Sequence, residues 1–177
     1  MFLPSGLPPL GKLATIGMAV ALATGGAAAG ATAGAAQVQA ASSARTCTVN
    51  DLYGSMGSKD LGAGQLYWPI KFTNTSTSAC ALRGFPGVSA LSVSHQQIGG
   101  AAARSGRSYS TVTIQPGHTV TAVIHTTNGP IGGSCRSTGT YVRVYPPASH
   151  QALLIPAALR VCSNVFTVDP VTTQSQH

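Results

Sequence analysis

Residues 64–86 read GQLYWPIKFTNTSTSACALRGFP, and this stretch decides the fold. Leu66, Trp68, Ile70 and Phe72 are apolar at every second position, while Gln65, Tyr67, Pro69, Lys71 and Thr73 between them are mostly polar or amphipathic. A period of two describes a strand with one buried and one wet face. The run Asn74-Thr75-Ser76-Thr77-Ser78 is turn-forming, because these side chains bond locally to the backbone. It predicts a hairpin, with Ala79-Cys80-Ala81-Leu82 returning as the next strand. Gly84-Phe85-Pro86-Gly87 then breaks the ladder, since proline lacks a donor and glycine accepts unusual dihedrals. The only tryptophan lies in this segment, which places it in the core.

Working outward, Thr46–Tyr53 reads as a first strand, and Gly54–Gly64, with four glycines, reads as a mobile loop. Beyond the central segment, Val88–Val93 is a strand turned by Ser94-His95-Gln96-Gln97, with Ile98 opening a short return. The polar, glycine-broken segment Ala101–Ser110 is a loop. Thr111–Ile114 and Thr119–His125 read as a second hairpin around Gln115-Pro116-Gly117-His118, whose Pro-Gly centre suits a type II turn. Tyr141, Arg143 and Tyr145 alternate with Val142 and Val144, and Pro146-Pro147 ends that strand. Leu153-Leu154-Ile155 is read as a strand, Val165–Val168 closes the domain, and Pro170 onward is expected to fray. Eight or nine short strands without strand–helix alternation exclude a parallel α/β sheet. The expected fold is all-β: an antiparallel two-sheet β-sandwich with Greek-key links.

Composition agrees with strands and turns: 21 glycines and 11 prolines stand beside only three acidic residues. Residues 1–40 are set apart. Lys12 is their sole charge, Leu13–Ala29 is an alanine-rich apolar run, and small residues continue to Ala40. A basic end, an apolar segment and a small-residue exit read as a secretory signal peptide cut after Val38-Gln39-Ala40, with Ala36 the second choice. An uncleaved membrane anchor fits less well with glycine interruptions and alanine in place of leucine. Cys47 lies too far past the apolar run for a lipid anchor. The expected organisation is therefore a signal peptide (1–40), a short leader (41–46), one domain (47–171) and a tail (172–177). Past the signal, nine basic residues oppose Asp51, Asp60 and Asp169, a net charge of +6. A chain of this length buries a core without depending on staples.

Four cysteines in an exported chain indicate two disulfides, for which three pairings are possible. Sequential pairing, Cys47–Cys80 and Cys135–Cys162, is expected, because each joins segments close enough in sequence to be sheet neighbours or facing strands. Each such closure stabilises by roughly 3–4 kcal/mol in the chain-entropy model. A zinc site lacks any C-x-x-C or paired Cys/His spacing.

Catalytic chemistry is thinly supplied. Three scattered carboxylates make a poor glycosidase pair. No G-x-S-x-G elbow is present. His95 and His118 fall in turns, and His125 ends a strand on its wet face; as a metal pair, His118 and His125 would have to share one side of a hairpin. No cofactor and no metal are expected. The charge asymmetry is the main functional hint. Arg83, Arg104, Arg107, Arg136, Arg143 and Arg160 could form a patch for anionic polymers, with Arg104-Ser105-Gly106-Arg107 as the candidate anion cradle. The competing explanation is a generally basic surface that aids solubility. Nucleic acid is disfavoured by export and by the lack of closely interleaved aromatics, and no membrane association is expected after signal cleavage. Asn74-Thr75-Ser76 matches a glycosylation sequon, although turn chemistry accounts for it.

The order of motifs carries a resemblance. Cys47 is followed by Gly62-Ala63-Gly64-Gln65 leading into Tyr67, then Phe72-Thr73-Asn74-Thr75-Ser76, Cys80-Ala81-Leu82 and Gly84-Phe85-Pro86-Gly87-Val88. Ile114-Gln115-Pro116-Gly117, Cys135, Val144-Tyr145-Pro146-Pro147 and Cys162 complete it. From about Cys47 to Val171 the chain resembles the secreted actinobacterial domain of unknown function that domain catalogues number four-two-three-two. The resemblance implies an exported, disulfide-bonded, Ig-like sandwich, free or lipid-anchored, and brings no activity and no catalytic residues. Ile114-Gln115 departs from it, standing where a leucine is usual before the Pro-Gly turn.

Three functions compete. The first is a non-catalytic extracellular module that binds or stabilises something at the cell envelope, its partner an anionic cell-wall polymer or an extracellular protein. The second is a secreted protease inhibitor presenting a rigid loop near Cys135 or Gly99–Tyr109. The third, a hydrolase, needs acid and histidine side chains converging in one pocket.

Overall fold

The computed structural model describes residues 44–173; the expected signal peptide, 1–40, lies outside them. A single 3-10 turn, η1 (Val49–Asp51), precedes eleven strands: β1 (Leu52–Met56), β2 (Asp60–Gly62), β3 (Gln65–Asn74), β4 (Cys80–Arg83), β5 (Gly87–Leu91) and β6 (Ala103–Arg104), then β7 (Thr111–Ile114), β8 (Thr119–Thr127), β9 (Tyr141–Tyr145), β10 (Leu153–Pro156) and β11 (Thr167–Val168). The fold is an all-β, predominantly antiparallel sandwich. One layer runs β1-β3-β8-β11-β6, with β2 also on β3; the sheets β10-β9-β5 and β4-β7 supply the other. Among the named strands only β11 and β6 pair in parallel, and an isolated bridge, Thr46 to Ala81, is parallel as well.

Leu66, Trp68, Ile70 and Phe72 point inward as their period requires, joining Val120, Ala122 and Ile124 of β8 in one buried cluster. Val88, Val142, Val144 and Ile155 meet them from the opposite layer. Trp68 is only 8% exposed, and its indole N–H donates to the Gly57 carbonyl at 2.8 Å. Cys47–Cys80 ties the leader to β4, and Cys135–Cys162 ties the approach to β9 to the segment after β10.

Both expected hairpins are instead crossings between layers. β3 pairs with β1 and β8, whereas β4 pairs with β7. The chain therefore passes from one layer to the other after Asn74 and returns after Ile114. The Pro116-Gly117 turn does form: His118 N–H donates to the Gln115 carbonyl, and Gly117 sits at φ +76 in the position a type II turn reserves for glycine. What joins the crossings is Asn74, fully buried, whose amide donates to the Ser78 and Ile114 carbonyls at 2.9 Å each.

The first strand also differs from expectation. Val49–Asp51 curls into η1, because Asp51 accepts from the Thr48 backbone and hydroxyl and from Arg45. The strand then runs through Gly54, inside the segment expected to be a loop. Glycine lets Leu153 and Ile155 of β10 pack close there, since a Cβ would meet their terminal methyls at about 3 Å and make them shift. β1 and β2 lie along one edge of β3. Three residues separate Met56 from Asp60 while two separate their partners Ile70 and Tyr67, which is a one-residue bulge. Gly57 donates to the Pro69 carbonyl, so the polar backbone atoms of Pro69 face this edge. The donor that Pro69 lacks falls at the bulge, which explains a proline inside a long strand. Ala63 and Gly64, at φ +48 and +76, close the β2–β3 hairpin as a two-residue turn.

Residues 170–173 do not fray as a unit. Val171 is buried and donates to the Gly84 carbonyl, and Thr172 exchanges backbone bonds with Thr121.

Candidate functional site: an arginine–aromatic row beside a polar groove

β4 ends at Arg83. Gly84 then turns the chain at φ +100, a left-handed value favouring glycine, with its Cα side facing the Tyr109 ring, which an added Cβ would touch at 3.6 Å. The turn sets Phe85 edge-to-face with Tyr109, ring centres 5.5 Å apart and planes at 79°. Tyr109 comes from the loop between β6 and β7 and is 45% exposed. The Arg83 guanidinium lies over the Tyr109 ring at 5.1 Å, and that of Arg104, from β6, over Phe85 at 5.8 Å. The result is a row: Arg83, Tyr109, Phe85, Arg104. Among the described residues, neither guanidinium is paired with an acid. Stacking on a ring restrains a guanidinium while leaving its N–H edges open to an oxyanion.

Tyr109 also lines a groove of about 340 Å³ between the 107–112 segment and residues 169–173. Arg107 and Asp169 face each other there, Nη1 to Oδ2 at 2.9 Å. The expected cradle is thus divided: Arg104 stands in the row, while Arg107 is engaged by a carboxylate. Of the other arginines named from the sequence, Arg83 joins the row. Arg143 donates to Gln97 at 2.6 Å and lies near Tyr145, and Arg136 lies beside Gly99. Arg45 forms a two-bond pair with Asp51. Together with the Thr48 backbone N–H, it holds the Asp51 carboxyl well below the usual carboxylate range.

Among the described residues the histidines do not converge. His118 is exposed in its turn. His95 lies edge-on to Tyr141. His125 does not end its strand in water: β8 continues to Thr127, and the ring stacks on Tyr67 at 4.7 Å with Nε2 bonded to Gln65 at 2.7 Å. Burial lowers its pKa, opposed in part by Asp169. A larger depression, about 460 Å³, is lined by Lys59, Asp60 and Lys71; the Lys59 amine lies 4.1 Å over the Trp68 ring.

Phe85 and Tyr109 escaped the sequence reading as site residues. The available signal was an aromatic within two residues of an arginine in glycine- and serine-rich turns, at 83–85 and 107–109.

Fold, paired cysteines and a cationic aromatic surface define a disulfide-linked β-sandwich whose loops carry an arginine–aromatic row. The chain belongs to the family described as Domain of unknown function (DUF4232), whose model matches residues 47–172. No curated protein matches it significantly.

Proposed function

We propose that this chain is an exported, non-catalytic binding module of the cell envelope that holds an anionic polymer on the Arg83–Tyr109–Phe85–Arg104 row. The observation that carries this reading is the pair of ring-stacked guanidiniums without acidic partners. Arginines destined for structural ion pairs look like Arg45, locked on two carboxylate oxygens. Those of the row keep their N–H edges available for bidentate phosphate or carboxylate contacts. Two disulfides fit an oxidising compartment, and among the described residues no helix is long and apolar enough to cross a membrane. The disulfides support export.

The test is a pull-down from cell-envelope preparations at low and high salt. Retention is expected at low salt and elution at high salt, because the screening length between exposed charges falls from about 10 Å at 0.1 M to about 3 Å at 1 M. Arg83→Gln with Arg104→Gln should weaken retention about tenfold or more, from the loss of charge-assisted hydrogen bonds. Salt-insensitive retention, or full retention by the double variant, refutes the reading.

A second reading, a secreted inhibitor, is favoured by one observation. Ile131 is 53% exposed on the loop ahead of Cys135, and the disulfide, the Thr127 hydroxyl on the Gly129 carbonyl and the Ser163 hydroxyl on the Gly133 carbonyl frame that loop. Such a loop should stay intact under added protease and slow the enzyme; cleavage within 128–134 without inhibition removes this reading.

A further inference from the structure

The geometry points to a neutral-sugar subsite in the groove beside the row, so that the polymer is a glycan bearing anionic groups and not a bare polyanion. This deepens the reading above and rests on it. The argument starts from the Arg107–Asp169 pair. It is made through one nitrogen and one oxygen, Nη1 and Oδ2, which leaves the second carboxylate oxygen and the remaining guanidinium N–H groups with bonding capacity. Asp169 is mostly covered, its side chain 16% exposed against 53% for Arg107, so it stays in place while the arginine meets solvent.

A donor and an acceptor fixed side by side match a vicinal diol, in which one hydroxyl donates to the carboxylate and its neighbour accepts from the guanidinium. An oxyanion in the same place would face the Asp169 charge, which disfavours it. The anion contacts therefore belong to Arg83 and Arg104, and the groove suits an uncharged polyhydroxyl group. Ser108, Ser110 and Thr173 add hydroxyl-bearing side chains to the walls, while Val112, Pro170 and Val171 give an apolar floor. The lining is predominantly polar, which suits a hydroxyl-rich ligand, and about 340 Å³ lies at the lower end of small-ligand sites. Tyr109 belongs to both the groove and the row, so one extended ligand can lay a sugar ring in the first and an attached phosphate or carboxylate against the second.

The test uses the exported, isotope-labelled protein titrated with neutral oligosaccharides, maltotetraose and the N-acetylglucosamine tetramer, followed by backbone amide resonances. In parallel, retention on an immobilised poly(glycerol phosphate) is measured. At least one neutral oligosaccharide, at millimolar concentration, should shift the amides of Ser108–Ser110 and Thr172–Thr173. Asp169→Asn should weaken this about tenfold or more, and Ser108→Trp, which fills the groove from an exposed position, should abolish it; thermal melts establish that both variants fold. Absence of groove shifts, with the protein still retained on poly(glycerol phosphate) through Arg83 and Arg104, overturns the subsite and leaves the anion reading standing. Groove shifts without polymer retention do the reverse. Shifts that persist undiminished in both variants also overturn the subsite.

Discussion

Asn74 shows how much one side chain decides. Its amide donates to Ser78 and Ile114, its oxygen accepts from the Ser76 backbone and hydroxyl, and its own backbone pairs with Gly117 and His118. Both amide hydrogens are committed inside the protein, so the sequon at 74–76 is closed to glycosylation in the folded state. Asn74→Ala removes the amide's bonds to the Ser78 and Ile114 carbonyls from a fully buried position. It should cost about 3 kcal/mol, read as a lower midpoint in denaturant melts; a change below about 0.5 kcal/mol, the range of an ordinary surface substitution, refutes the role. Trp68→Ala should cost about 3–5 kcal/mol by the same measurement, because a large ring is removed from a packed face. A Trp68 variant of unaltered midpoint would mean that this face is not part of the core.

At the scale of elements, the two crossings are held by more than Asn74. Cys47–Cys80 fastens the leader to β4 at the start of that strand, where Cys47 donates to the Ala81 carbonyl and Ala81 to that of Arg45. Non-reducing peptide mapping should recover Cys47 joined to Cys80, and removal of that bond should cost about 3–4 kcal/mol, given the 33-residue separation. A Cys47–Cys162 peptide would refute this arrangement. Gly139 tests the approach to β9 differently. A Cβ there would meet the Leu91 carbonyl at 2.9 Å and that of Leu159 at 3.3 Å, both backbone atoms. Gly139→Ala should therefore destabilise by about 1–3 kcal/mol through overpacking, whereas Gly62→Ala, with open space around it, should change little.

For the molecule as a whole, acid acts through two groups whose pKa values lie below their ordinary ones. Asp51 is held down by Arg45 and Thr48, so its contribution is complete above the ordinary carboxylate value of 3.8 and is lost as pH falls below it. Burial lowers the pKa of His125; its contribution is complete above the ordinary imidazole value of 6.5 and declines as pH falls below that. The melting temperature should thus drop in two stages on acidification. His125→Gln should remove the upper stage and Asp51→Asn the lower, and an upper stage that survives His125→Gln would assign it elsewhere.

Much of this architecture was legible in residues read one after another. Alternation from Leu66 to Phe72 and from Tyr141 to Tyr145 marks inward faces, because side-chain direction in a strand follows from the backbone locally. The glycines of 54–64 misled, since a bulged edge and a two-residue turn consume glycine as readily as a mobile loop does. Turn residues specify a reversal but not which sheet receives the next strand; that depends on partners far along the chain, here the bond from Asn74 to Ile114 across 40 positions. The candidate site has the same origin. Residues 83–85, 104–109 and 169 meet only because β4, β6 and the segment after β11 end together, and that meeting is a property of packed sheets, with no periodicity in the chain to announce it.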